Sequence, residues 1–343
     1  MKALVLKDYN HLEIDEVPSP SIGNNEVLVR VKAAGICGSD VHGMDGSSGR
    51  RIPPVIMGHE ASGTIAEIGA DVTAWQEGDR VTFDSTIYCG ECAFCRRGDV
   101  NLCENRRVLG VSCDAYRQNG AFAEFVAVPE RILHRLPPDV SFEHAAMVEP
   151  CSVAVHAVER TPVSLGDTAV VVGTGMIGLL VVQALRTAGC GRIIAVDIQP
   201  TRLQQALDLG ADEGLNPNEE DVTARIQAET DGLGADLSCE VVGMESTFDL
   251  ALRSVRKGGA VTLIGNLSPS VTFPMQFAVT RELTLYGSCA SSGEYPACLE
   301  LMSRGAIDVE PLISAVAPLE EGAEWFQRLY DGESELMKVI LKP

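Results

Sequence analysis

Four cysteines stand within fifteen residues as Cys89-x2-Cys92-x2-Cys95-x7-Cys103. Thiolates at this spacing can wrap a tetrahedral ion, and Gly90 and Gly98 ease the turns that bring them round. Zinc in such a closed shell has no open position, so it would hold a loop together and do no chemistry. Iron–sulfur ligation shares the opening CxxCxxC. There the fourth cysteine follows after three residues and precedes proline, whereas here the gap is seven and Glu104 follows. A second set is dispersed: Cys37-Gly38-Ser39-Asp40-Val41-His42, Gly58-His59-Glu60 and Glu149-Pro150-Cys151. Cysteine, histidine and carboxylate are the donors of a catalytic zinc, but spacing alone does not join these segments. A buried cysteine or a satisfied histidine is the competing use.

The third constellation is Gly173-Thr174-Gly175-Met176-Ile177-Gly178, a GxGxxG. It follows an apolar run, opens an apolar helix-like segment, and Asp197 comes 19 residues after Gly178. The first glycine permits a tight turn, the second lets backbone approach a pyrophosphate, and the third lets helix and strand pack closely. Unpaired N–H groups of the helix start, at Met176 and Ile177, then face the phosphates. Asp197 can accept from both adenine-ribose hydroxyls and would repel a 2′-phosphate, which favours NAD over NADP. Arg202 could cover the adenine or approach that phosphate. Capping of a helix beginning at Pro200 is the structural alternative for Asp197. Methyltransferases that use S-adenosylmethionine share the glycine turn and the acid, so this segment alone does not specify hydride transfer.

These residues need elements to position them. Up to about residue 150 the chain reads as short strands at 2–6, 26–33, 62–68, 80–83 and 122–128, broken by Pro-Ser-Pro at 18–20 and Pro-Pro at 53–54 and 137–138. That is the texture of an irregular, mostly antiparallel barrel. From about 153 strands expected at 168–172, 192–197, 237–242, 260–264 and 283–286 alternate with helices at 176–188, 200–209, 222–229, 245–255 and 294–303. Near-continuous Val/Ile runs between helices indicate a parallel sheet covered on both faces. The expected division is 1–152, completed by about 292–343 with a strand at 339–341, and 153–291.

Composition narrows the function classes. The 343 residues carry 48 acidic against 27 Lys+Arg side chains, a formal charge of −21. That balance argues against nucleic acid, bound mostly through Lys/Arg on phosphates, and against anionic membranes. The near-apolar stretch at 169–185 is slightly short for a span and is explained as a buried strand plus its crossover helix. No targeting signal is read at the N-terminus. Eleven cysteines in a reducing, cytoplasmic setting read as ligands and free thiols more than disulfides.

Taken in order, GICGSDVH, GHEASG, the cysteine cluster, EPCSV and GTGMIG resemble the zinc-dependent medium-chain dehydrogenase/reductase family, on its polyol branch with sorbitol and galactitol-1-phosphate dehydrogenases. The resemblance spans almost the whole chain. It implies an α/β protein with a GroES-like β-barrel catalytic domain and a Rossmann doubly wound domain. It also implies two zincs per chain, NAD as cofactor, and a homodimer or homotetramer. The catalytic zinc falls to Cys37, His59 and a carboxylate, with Glu149 favoured and Glu60 close by. His59 and Glu60 would face opposite ways on a regular strand, so both reach one ion only where the backbone is irregular. Ser39 begins the proton relay, His42 could finish it, and Asp40 orients the histidine ligand. The implied reaction is reversible oxidation of a secondary hydroxyl to a ketone. Sugar-alcohol phosphates and L-threonine-like amino alcohols are the alternatives, and a non-catalytic zinc-stabilised dinucleotide-binding protein is the rival of another class. Gly43 departs from the aromatic that sorbitol dehydrogenases carry after the histidine, which suggests a widened pocket. Arg50-Arg51 could hold a substrate anion or simply be solvated.

Overall fold

Apolar runs without polar alternation build the second half of the molecule. In the computed structural model, which describes all residues except 114, 115 and 334, the chain divides into two units. One comprises Met1–Glu149, Ser292–Arg304 and Val309–Pro343, the other Pro150–Ser291 and Gly305–Asp308. The change of unit falls inside a continuous helix, Val148–Arg160, which the sequence pattern did not mark. Residues 305–308 belong with the second unit because the Gln183 amide donates to the Asp308 carbonyl (3.0 Å) and accepts from its N–H (2.7 Å).

The second unit holds a six-stranded, all-parallel sheet. Its strands lie side by side as Glu213–Leu215, Arg192–Val196, Thr168–Val172, Ala235–Glu240, Val255–Leu263 and Thr284–Gly287. Chain order reverses between Thr168–Val172 and Ala235–Glu240, the switch point at which such sheets open a ligand crevice. Ala169, Val170 and Val171 are fully buried, as a strand covered on both faces requires. The next element, Met176–Ala188, buries an unbroken run from Gly178 to Leu185 and stops at Gly189, whose φ of 101° only glycine adopts freely. The apolar stretch is therefore core, and no helix among the described residues is long and apolar enough to cross a membrane.

In the first unit the main sheet runs Leu133–Arg135, Arg80–Phe83, Glu60–Ile68, Glu26–Gly35, Lys338–Lys342 and Ile313–Pro318. Phe125–Pro129 also pairs with Glu26–Gly35, and all these pairings are antiparallel except that of the last two strands. The C-terminal strand thus returns to the first unit. Its core gathers Leu4, Leu6, Val29, Phe83, Phe122, Phe326 and Val339, with Phe122 and Phe326 edge to face at 5.6 Å. Among the elements outside the sequence reading are the strands His11–Glu16 and Glu213–Leu215, and the helices Gly38–Met44 and Gly322–Tyr330.

Candidate active site

Cys37 is the N-cap of the helix Gly38–Met44, with extended backbone (φ −88°, ψ 148°) and no side-chain cap, so its thiol is free to point away. His59 sits between Gly58, at φ 94°, and the first residue of the strand Glu60–Ile68. It lies just outside the regular strand, and this irregularity lets neighbours 59 and 60 turn toward the same point. One donor atom each of Cys37, His59 and Glu60 lies within 4.8 Å of the others. A thiol, an imidazole and a carboxylate at that range form a donor set that suits a single zinc ion.

Around this trio Asp40 and Arg51 are buried, while Ser39 and His42 are exposed. Asp40 is fully buried, and its Oδ2 faces His59 Nδ1 across 3.4 Å, leaving Nε2 as the ring nitrogen available to a metal. Burial pushes the Asp40 carboxyl up, but His59 and Arg51 beside it outweigh that and hold it below the usual carboxylate range. Burial lowers the His59 imidazole, and the Asp40 and Cys37 charges raise it further than burial depresses it. The Ser39 hydroxyl donates to Cys37 Sγ at 3.3 Å. His42 lies one turn on along the same helix, with its ring exposed, and no hydrogen bond among the described residues joins it to Ser39.

Glu149 lies in the first turn of Val148–Arg160, half-buried as a residue, and accepts from Ser85 Oγ at 3.2 Å. Burial raises its carboxyl, and so does the Glu60 charge. It is not within the 4.8 Å set that contains Glu60. Glu60 meets a group that sequence reasoning missed. Lys338 Nζ donates to Glu60 Oε2 at 2.5 Å and to the Ile36 carbonyl at 3.1 Å, deep in the protein. Gly35 makes room for this pairing, because a Cβ there would run into Glu60 Oε2. The signal in the sequence was a lysine directly before the apolar run 339–341 of the final strand. Arg51 differs from its expected role as an anion holder or solvated residue: it is 2% exposed and donates to Asp40 Oδ1 at 2.8 Å. Arg50, next to it, is exposed.

The cysteine cluster comes together in the first unit. The sulfurs of Cys89, Cys92, Cys95 and Cys103 all lie within 4.8 Å of one another, and all eleven cysteines are free of disulfides. Backbone N–H groups of Glu91 and Cys92 pull the Cys89 thiol down to about 6. Burial and the neighbouring thiols push Cys95 up to about 12. Four sulfurs this close can all ionise only with a cation among them, and the arrangement fits a closed four-thiolate zinc.

At the glycine turn, Gly173 takes φ 96°, and a Cβ on Gly178 would run into the Gly173 carbonyl oxygen. A Cβ on Gly175 would meet open space, so the side from which a phosphate could approach is clear. Gly175 caps the helix Met176–Ala188 without any side-chain bond, which leaves the N–H groups of Met176 and Ile177 free of a capping side chain. Asp197, at the end of the second strand, accepts from Thr174 N (2.8 Å) and Gln199 N (3.0 Å). Part of its role is therefore to tie the glycine turn to the next loop. It is not the helix cap, a position held by Gln199. Arg202, on the first turns of Pro200–Asp208, has a buried Nε without a partner.

A parallel-sheet nucleotide fold, a clear glycine turn, a four-thiol cluster and a Cys–His–Glu trio suit a zinc-binding dehydrogenase. Residues 23–138 match the family described as alcohol dehydrogenase GroES-like domain, and residues 177–304 match the zinc-binding dehydrogenase family. Sorbitol dehydrogenase of Bacillus subtilis (strain 168) is 33% identical, covering 100% of this chain and 97% of that protein. L-idonate 5-dehydrogenase of Vitis vinifera is 38% identical over 88% of this chain and 84% of that protein. A structure described as a zinc-binding dehydrogenase of Sinorhizobium meliloti 1021, bound to NADP, superposes with a TM-score of 0.92 at 31% identity, covering 100% and 99% of the two chains. The chain belongs to the zinc-dependent medium-chain dehydrogenase family, whose members pair zinc with a nicotinamide cofactor.

Proposed function

We propose that this enzyme oxidises a secondary hydroxyl of a polyol or sugar alcohol to a ketone, reversibly, with NAD as hydride acceptor. The observation that carries the reading is the trio Cys37, His59 and Glu60 converging within 4.8 Å beside the Ser39 hydroxyl. Relatives that act on sorbitol and L-idonate support the polyol class. A zinc held by Cys37, His59 and Glu60 would supply Lewis acidity toward an alcohol, and a nicotinamide cofactor at the glycine turn would supply the hydride acceptor. The rest falls to side chains. Ser39 accepts the alcohol proton and passes it toward His42, while Asp40 fixes the tautomer and tilt of His59 through Nδ1. Glu60 is the carboxylate ligand that the geometry favours. Glu149, tethered to Ser85, is the candidate to exchange with it.

A second zinc at Cys89, Cys92, Cys95 and Cys103 is structural in this reading. The Asp197 carboxylate at the ribose position supports NAD over NADP. Cytoplasmic residence suits eleven free cysteines. A homodimer or homotetramer rests on family resemblance, and light scattering tests it. The functional test is NAD and NADP reduction across a panel of polyols, phosphorylated polyols and L-threonine, with zinc counted per chain. Turnover of a free polyol with NAD and two zincs is expected. Turnover confined to phosphorylated substrates or to L-threonine moves the assignment to those classes, and no turnover with one zinc sinks it.

A further inference from the structure

Arg51 sits where two arms of the proposed active site meet. One nitrogen, Nη2, donates to Asp40 Oδ1 at 2.8 Å and lies 3.2 Å from Ser39 Oγ. The first arm continues from Asp40 to His59, the second from Ser39 to Cys37 Sγ. The stem lies against the bare backbone of Gly43: a Cβ there would run into Arg51 Cγ and lie 3.2 Å from its Cβ. The volume that glycine releases at position 43 is thus filled by Arg51, and the expected widening of the pocket does not occur at this point.

Donor chemistry gives the arrangement its consequence. A guanidinium has no acceptor and does not deprotonate in proteins, whereas a serine hydroxyl has one O–H and two lone pairs. With Arg51 on one lone pair, the Ser39 proton cannot point toward Arg51, and here it points to Cys37 Sγ. One lone pair remains to receive a proton from a substrate hydroxyl.

We propose that Arg51 is a positioning residue that holds the Ser39 oxygen in place for the relay, with Gly43 as the bare backbone that lets it reach. This rests on the relay reading above, and a double-mutant cycle separates the two. S39A, R51M and S39A/R51M would be compared by kcat and KM for the best polyol with NAD, by zinc per chain and by NAD affinity. Proton relays of this kind are worth roughly a hundredfold or more. R51M is expected to lower kcat about tenfold or more with KM, zinc content and NAD affinity near parental values, and to cost less than about twofold once Ser39 is alanine. R51K, which keeps the charge without the planar fork, is expected to fold like the parent and recover part of the loss. If R51M does not fold, R51K runs through the same cycle, with a smaller kcat loss that again nearly vanishes once Ser39 is alanine. Losses that multiply in the double variant, or zinc lost in step with activity, overturn the proposal and leave Arg51 a structural partner of Asp40. An S39A enzyme with parental kcat overturns the relay reading itself.

Discussion

Replacing Lys338 by methionine tests how the carboxylate of the trio is held. The Lys338–Glu60 ion pair spans 2.5 Å between side chains that are 3% and 1% exposed. Methionine keeps the length of the stem and removes the cation, stranding the Glu60 charge. Breaking a buried pair from one side costs about 3–5 kcal/mol, mainly because the remaining charge is uncompensated. For a domain of 150–250 residues each kcal/mol moves Tm by roughly 2–4 °C, so the metal-free K338M protein should melt roughly 6–20 °C lower. Burial lowers the Lys338 pKa, and Glu60 and Cys37 raise it further, to a net value above its ordinary 10.5. A raised lysine contributes its stability fully below the unfolded pKa and loses it only as pH climbs through the folded one, so measurements near pH 7.5 sit on the plateau. Zinc bound by Cys37, His59 and Glu60 returns a cation to the carboxylate, so the zinc-loaded variant should lose much less. Glutamine at position 60 removes the stranded charge, so K338M should be far cheaper in an E60Q background. Calorimetry on the parent, K338M, E60Q and K338M/E60Q, with zinc and after chelation, gives the comparison. A K338M cost that is the same with and without zinc, and the same in E60Q, refutes the view that Lys338 stands opposite a metal across Glu60.

Three further outcomes follow from other parts of the molecule. Burial, with the Glu149 and Glu294 charges, pushes the Asp84 carboxyl up to about 7; a raised folded pKa means stability intact near pH 4 and lost as pH rises toward 7. D84N, which keeps an acceptor for Thr86 N, should match the parent at pH 4 and gain on the order of a few kcal/mol at pH 8, and a gain independent of pH would contradict this. C103S should lower the zinc count from two to one per chain and the melting temperature with it, while the Cys37 site keeps its metal; two zincs in C103S would dismiss the cluster as a metal centre. D197N should weaken NAD roughly tenfold or more, the worth of a charge-assisted hydrogen bond, and narrow the preference over NADP; titration calorimetry with both cofactors reads it.

What could be read in advance was what the chain writes in contiguous residues. The cysteine spacing, the glycine turn and the Val-rich strand before it are local, and their elements coincide: Thr168–Val172, Met176–Ala188 and Val222–Glu229 fall where the pattern put them. Short elements escaped because their residues carry no periodic signal. Gly38–Met44 opens on glycine, and Glu213–Leu215 is three residues ending on a Gly-Leu. The convergence of Cys37 with His59 and Glu60 was legible only through resemblance, since nothing in an isolated histidine announces its neighbours.

The partners of the site were less legible still, for a physical reason. Asp40 and Arg51 lie 11 residues apart, and Glu60 and Lys338 lie 278 apart. A pairing that depends on the fold leaves no spacing to count. Net charge misleads here as well. With 27 Lys+Arg against 48 acidic residues, cations are the scarcer charge, yet two of them are buried on the carboxylates of this one site. An ionised carboxylate out of water needs either a cation or a metal. Asp40 never touches the ion in the proposed reading, so its cation must be permanent, and arginine supplies one that does not titrate. Glu60 is asked to serve as a ligand, so its partner must hold one oxygen and leave the other free, which a single lysine donor does. The choice of arginine at one position and lysine at the other follows from those two tasks, and the bare glycines at 43 and 35 are what let each side chain arrive.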